Sequence, residues 1–176
     1  MYRSIEAPRV AVGRLPSGDR GTRRTLDIMR RLAAEGATHP VVRFTALNAL
    51  RDGGAASHDP LSQLAALFRY VRDRILFVGD VLGVETLQAP WITIQAGAGD
   101  CDDRAVLLVS MARAVGIKAE LRFRVIAANA RRPAAFSHVY VVARAAGREI
   151  PLDPTYSTSG PGDEYPRAFR TAEVPA

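Results

Sequence analysis

The stretch Gly99-Asp100-Cys101-Asp102-Asp103-Arg104-Ala105-Val106-Leu107-Leu108-Val109-Ser110-Met111-Ala112-Arg113-Ala114-Val115-Gly116 decides how the rest of this chain is read. Its apolar residues at 105, 108, 109, 112 and 115 recur at spacings of three and four, the period of a helix that is amphipathic or largely buried. Asp100 is the expected N-cap, and Gly116 stands where a C′ glycine ends such a helix. Asp102 and Asp103 put negative charge into the first turn, where unpaired amides favour it. The single cysteine of the sequence, Cys101, therefore falls at a helix start. That position favours the thiolate, the reactive form of the group, whereas the three neighbouring carboxylates disfavour it. A thiol placed like this needs a base before it can act as a nucleophile.

Composition bounds the possibilities. The chain has 176 residues, enough for one domain with a core, and 48% of them are apolar, which excludes a disordered chain. One cysteine excludes an internal disulfide and an all-cysteine metal site. The start, Met1-Tyr2-Arg3-Ser4-Ile5-Glu6-Ala7-Pro8, has no apolar run, so no secretory leader is expected, and no stretch is long and apolar enough for a membrane span. A cytoplasmic location is the corresponding expectation. The net charge of +6 permits attraction to polyanions. The arginines are dispersed in pairs such as Arg23-Arg24, Arg30-Arg31 and Arg131-Arg132, without a stripe interleaved with aromatics. They read as a solvated surface, and a nucleic-acid partner is not expected.

Upstream of the cysteine the chain reads as helical. Arg9 to Val12 could form a short edge strand. Thr25 would cap a helix over 26–35 that ends at Gly36. A second helix follows Pro40, with Val41, Val42, Phe44, Leu47 and Leu50 apolar and Gly53-Gly54 as the break. Asp59-Pro60 opens a third, whose apolar face runs from Leu61 through Leu64, Leu67, Phe68 and Val71 to Ile75. Residues 76–98, rich in glycine, read as a long shaped loop. Downstream the period changes to two. Ala119, Leu121, Phe123 and Val125 alternate with charged residues as a half-buried strand, Ser137 to Ala143 form another, and Glu149 to Leu152 a third. Pro151 fits an edge position. Residues 159–176 read as a loosely packed tail.

The sequence holds three histidines, His39, His58 and His138. His39 and His58 precede helices and read as surface or capping residues. His138 begins a strand, and Asp153 ends the next one. A hairpin between the two would bring Asp153 to His138, and the helix start could present Cys101 to the other imidazole nitrogen. Nucleophile, base and orienter are the parts of covalent acyl transfer. An inert buried cysteine beside a core-edge histidine and a turn-making Asp-Pro is the competing reading. Asp100, Asp102 and Asp103 could together hold a hard cation, but they lack the alternating spacing of a calcium loop, so neither a metal nor a cofactor is expected.

Gly99 to Asp103, the apolar helix to Gly116-Ile117-Lys118-Ala119, the strand Ser137-His138-Val139-Tyr140-Val141 and the segment Pro151-Leu152-Asp153-Pro154-Thr155 together resemble the transglutaminase-like cysteine peptidase superfamily, with its papain-like core. Small bacterial and phage-encoded members are the most similar. The resemblance covers residues 59–158. It implies an α+β fold in which helices, the cysteine helix among them, pack on a small antiparallel sheet. Residues 1–58 would be an N-terminal extension, 59–158 the catalytic core and 159–176 the tail. It also implies that Cys101 is the nucleophile, His138 the general base and acid, and Asp153 the orienter. The substrate would be a polypeptide or peptide-like amide, cleaved through a thioester or transferred to an amine. The Cys101 amide is the first candidate for an oxyanion donor. Gln95 and Trp91 are candidates for the second, and Asp102 for a pocket role. A non-catalytic interaction module on the same fold, or a basic nucleic-acid binder, is the alternative that leaves the triad unexplained.

Overall fold

The computed structural model describes residues 13–80, 85–164 and 168–176. The run Arg9 to Val12, expected as a short strand, lies outside the described residues. Five helices precede or include the cysteine segment: α1 (Asp19–Thr38), α2 (Pro40–Asp52), α3 (Pro60–Arg74), α4 (Pro90–Ala96) and α5 (Cys101–Ala114). Two short strands, β1 (Leu76–Phe77) and β2 (Ala98–Gly99), pair in parallel just ahead of α5. Four strands follow: β3 (Glu120–Ile126), β4 (His138–Ala145), β5 (Arg148–Leu152) and β6 (Thr171–Pro175). They form one antiparallel sheet in the order β5-β4-β3-β6. The α+β architecture is thus as expected.

Helix α5 is the axis of the core. Every residue from Asp102 to Ala112 is buried, because α1, α2, α3 and α4 pack around it on one side and β4 on the other. Its apolar period is therefore that of an enclosed helix rather than a surface one. The inner sheet face supplies Leu121, Phe123, Val125, Val139, Val141, Ala143 and Leu152. The alternate residues Arg122, Arg124, Tyr140, Val142 and His138 lie on the other face by the period-two rule and the pairing register. There Arg124 is held by Glu149, Glu164 and Glu173 across three segments. Ala146 and Gly147, both with positive φ, make the two-residue turn between β4 and β5.

The structure corrects the readings of Thr25, Gly36, residues 90–96 and the tail, and it decides which face of α2 is buried. Helix α1 starts at Asp19 and runs through Gly36, with Thr25 buried inside it rather than capping it. A Cβ at Gly36 would lie 2.6 Å from Pro90 Cγ and 2.6 Å from Ser110 Oγ, so this glycine lets α1 approach α4 and α5 and does not end the helix. Residues 90–96 are helix α4, not loop, with Pro90 in its first turn. On α2 the buried residues are Val42, Ala46 and Ala49, whereas Val41, Phe44 and Leu47 face outward. Residues 171–175 form β6 rather than a loose tail, their ladder with β3 supplying the backbone hydrogen bonds that a free tail would leave to water. Among the described residues no helix is long and apolar enough to cross a membrane.

Candidate active site

The N-terminus of α5 is built by its own carboxylates. Asp100 accepts from the amides of Asp102 at 3.0 Å and Asp103 at 3.1 Å, and Asp103 accepts in return from the Asp100 amide at 3.4 Å. This reciprocal cap satisfies amides that a helix start otherwise leaves bare. Asp103 also accepts from the backbone and the side-chain amide of Gln88, each at 2.7 Å, which fastens the segment before α4 to the helix start. A Cβ at Gly99 would sit 2.7 Å from Asp103 Cβ, so only glycine fits beneath this cap.

Packing carboxylates together out of water moves their titration. Burial, then the charges of Asp103 and Asp80, push the Asp100 carboxyl up to about 7. Burial likewise raises Asp103. Asp102, 7% exposed, is raised well above the ordinary carboxyl range by burial, then by Asp100 and by a hydrogen bond with Glu85. One consequence is measurable. Unfolded Asp100 loses its proton near 3.8 while the folded protein keeps it to about 7, so the native state binds more protons across that window and stability falls as pH rises through it. Asparagine caps equally well and does not ionise. Asp100→Asn is expected to flatten the pH dependence of thermal melting between about 4 and 7. It should also stabilise the protein at pH 8 by on the order of 1–4 kcal/mol. A variant that follows the parent curve across this range contradicts the assignment.

Cys101 stands inside this ring. Its thiol donates to Asp102 Oδ1 at 3.5 Å. Burial, then the charges of Asp102 and Asp100, raise the thiol pKa well above the ordinary value, opposed by the Val139 backbone amide, which favours the thiolate. Val139 follows His138 at the start of β4, so the sulfur lies against the end of the sheet that carries the imidazole.

His138 Nε2 is 2.6 Å from Asp153 Oδ2. The β4–β5 hairpin brings the two together: its register pairs Val141 with Leu152, so Asp153 leaves β5 at the end where β4 begins. Asp153 is buried, and burial opposes its charge. Its contacts with His138 and with Thr155 outweigh that, and its pKa is lowered. Its Oδ1 accepts from the Thr155 amide at 3.1 Å.

The structure thus joins His138 to Asp153 and sets Cys101 against Asp102 and Val139. Trp91 is stacked on His39 with ring centroids 4.4 Å apart, and Gln95 is exposed on α4. Four residues at or around this site escaped the sequence reading: Glu85, Gln88, Arg104 and Val139. Val139 was read only as part of its strand, and none of the four was given a role at the site.

Comparison with known proteins agrees with the α+β fold. The family model described as the transglutaminase-like superfamily matches residues 49–154. A crystal structure of a candidate cysteine protease from Cytophaga hutchinsonii is similar in fold, with a TM-score of 0.50 and 20% identity. The likeness covers 74% of this chain and 42% of that one, so the chain spans less than half the length of that protein. No curated protein matches.

Proposed function

Because the chain belongs to the transglutaminase-like superfamily, we propose that it is a cysteine-dependent amide-bond hydrolase, a peptidase or isopeptidase acting through a thioester on Cys101. The observation that carries this reading is the 2.6 Å contact between His138 Nε2 and Asp153 Oδ2, at the end of the sheet where the Val139 amide meets the Cys101 thiol. The carboxylate engages Nε2, so Nδ1 is the nitrogen that takes the thiol proton. The sulfur adds to the carbonyl carbon, the C–N bond breaks, and the imidazolium returns the proton to the leaving amine. Water, deprotonated by His138, then cleaves the thioester to a carboxylic acid and regenerates the thiol. Asp153 holds the ring and offsets the charge it acquires.

The oxyanion needs amide donors. The Asp100 carboxylate takes the amides of Asp102 and Asp103, which leaves the Cys101 amide as the donor at the helix start. Trp91, engaged with His39, and Gln95, exposed on α4, have less support as second donors. Asp102 lies beside the sulfur, where it would contact the substrate next to the scissile bond. The same acidic surroundings, Asp102 with Glu85, would hold an amine acceptor by hydrogen bonds while His138 takes its proton as it attacks the thioester, so acyl transfer is the second reading.

The test is a peptide library incubated with and without a primary amine, quenched in acid and read by mass. Expected are an acyl adduct on Cys101 and peptides cleaved with gain of water. Products carrying the added amine assign transfer instead. A Cys101→Ala chain should do neither, and a parent chain that forms no adduct with any amide would refute the proposal.

A further inference from the structure

Arg104 lies one turn into α5 on the face that carries Cys101, and it is 3% exposed. Burying a guanidinium is costly unless its geometry recovers that energy, and an apolar residue is often no worse for stability. The hydrogen bonds of Arg104 go to backbone carbonyls. Nη1 donates to Pro154 at 2.5 Å and reaches Thr155 at 3.4 Å, and Nη2 donates to Ile75. Its Nε, buried, has no partner among the described residues. Burial lowers its pKa and the charge of Asp153 raises it, so the two are within electrostatic reach.

The Pro154 carbonyl and the Thr155 amide belong to one peptide group. That amide donates to Asp153 Oδ1 at 3.1 Å, and Asp153 Oδ2 meets His138 Nε2 at 2.6 Å. A single line of contacts therefore runs from the guanidinium through one peptide plane and one carboxylate to the imidazole. Drawing on the carbonyl oxygen polarises the N–H on the same plane and strengthens the bond it makes. We propose that Arg104 is a positioning residue that clamps the Pro154–Thr155 peptide, and through it Asp153 and the His138 ring, to the helix turn that carries Cys101. This rests on the reading of Cys101 and His138 as nucleophile and base.

The test is the rate of Cys101 alkylation by iodoacetamide between about pH 6 and 9, measured with thermal melting on the full chain. The parent is compared with Arg104→Met, Arg104→Lys and His138→Ala. Arg104→Met is expected to melt cooperatively and to label about tenfold or more slowly. Arg104→Lys should recover only part of the rate, because one ammonium does not span both carbonyl groups. A purely structural role would lower the melting temperature and leave the labelling rate of folded protein unchanged. A folded Arg104→Met that labels at the parent rate, while His138→Ala is slow, overturns the clamp alone. Where Arg104→Met does not fold, the same result with Arg104→Lys overturns it. A His138→Ala chain as fast as the parent overturns the catalytic reading and the clamp with it.

Discussion

Alanine at position 138 is expected to slow alkylation of Cys101 near neutral pH by about 10²–10⁴, the usual contribution of a positioned general base. The cause is electrostatic. Burial and the charges of Asp102 and Asp100 hold the thiol in its neutral form, and the Val139 amide only partly offsets them. Without the imidazole, Cys101 becomes a buried thiol ringed by carboxyls, and its labelling should climb with pH only as the sulfur itself ionises. Asp153→Asn should fall in the same direction, since an amide oxygen accepts from the ring but carries no charge to balance an imidazolium. The measurement is the second-order rate across pH, followed by intact mass. Equal rates in parent and His138→Ala would remove the base from the mechanism.

Truncating Phe123 to alanine should cost about 3–5 kcal/mol, with a fall in melting temperature of roughly 6–20 °C for a chain of this size. Phe123 is fully buried on β3, opposite Val141 of β4 and Val174 of β6, in the same core cluster as the apolar residues of α5. Strands on both sides limit how far the surroundings can collapse into the space left behind. Phe44 on α2 is 67% exposed, and Phe44→Ala should change stability by no more than about 0.5 kcal/mol. Urea unfolding of the pair separates the two sites. Similar losses for both would mean that the outward face of α2 is covered in solution.

The contrast between these phenylalanines shows where the sequence stops being informative. Both belong to apolar patterns, and Phe44 reads as well as Phe123. On β3 the alternation with Glu120, Arg122 and Arg124 leaves one way to face the core. On α2 apolar residues lie on both sides, and Val42 with the small Ala46 and Ala49 are those buried, while the larger Phe44 and Leu47 are not. Gly36 misleads for a related reason. A glycine after an apolar run reads as a helix end, but here its missing Cβ makes room for Pro90 and Ser110, residues far along the chain.

The candidate site divides in the same way. The cap at Asp100, the acidic first turn, the cysteine at the helix start and the glycine at 116 are local features, set by hydrogen bonds and dihedral preferences within a few residues, and the amino-acid order alone determines them. So does the succession of helices followed by alternating strands. The tertiary structure alone decided that the Gln88 amide closes over Asp103, that buried Asp102 meets exposed Glu85 beside the thiol, and that Arg104 grips the peptide after Asp153. Each joins segments distant in sequence, and its energy is the balance between the hydrogen bonds it makes and the cost of excluding water from charged groups. No residue pattern encodes that quantity until the chain has packed around α5.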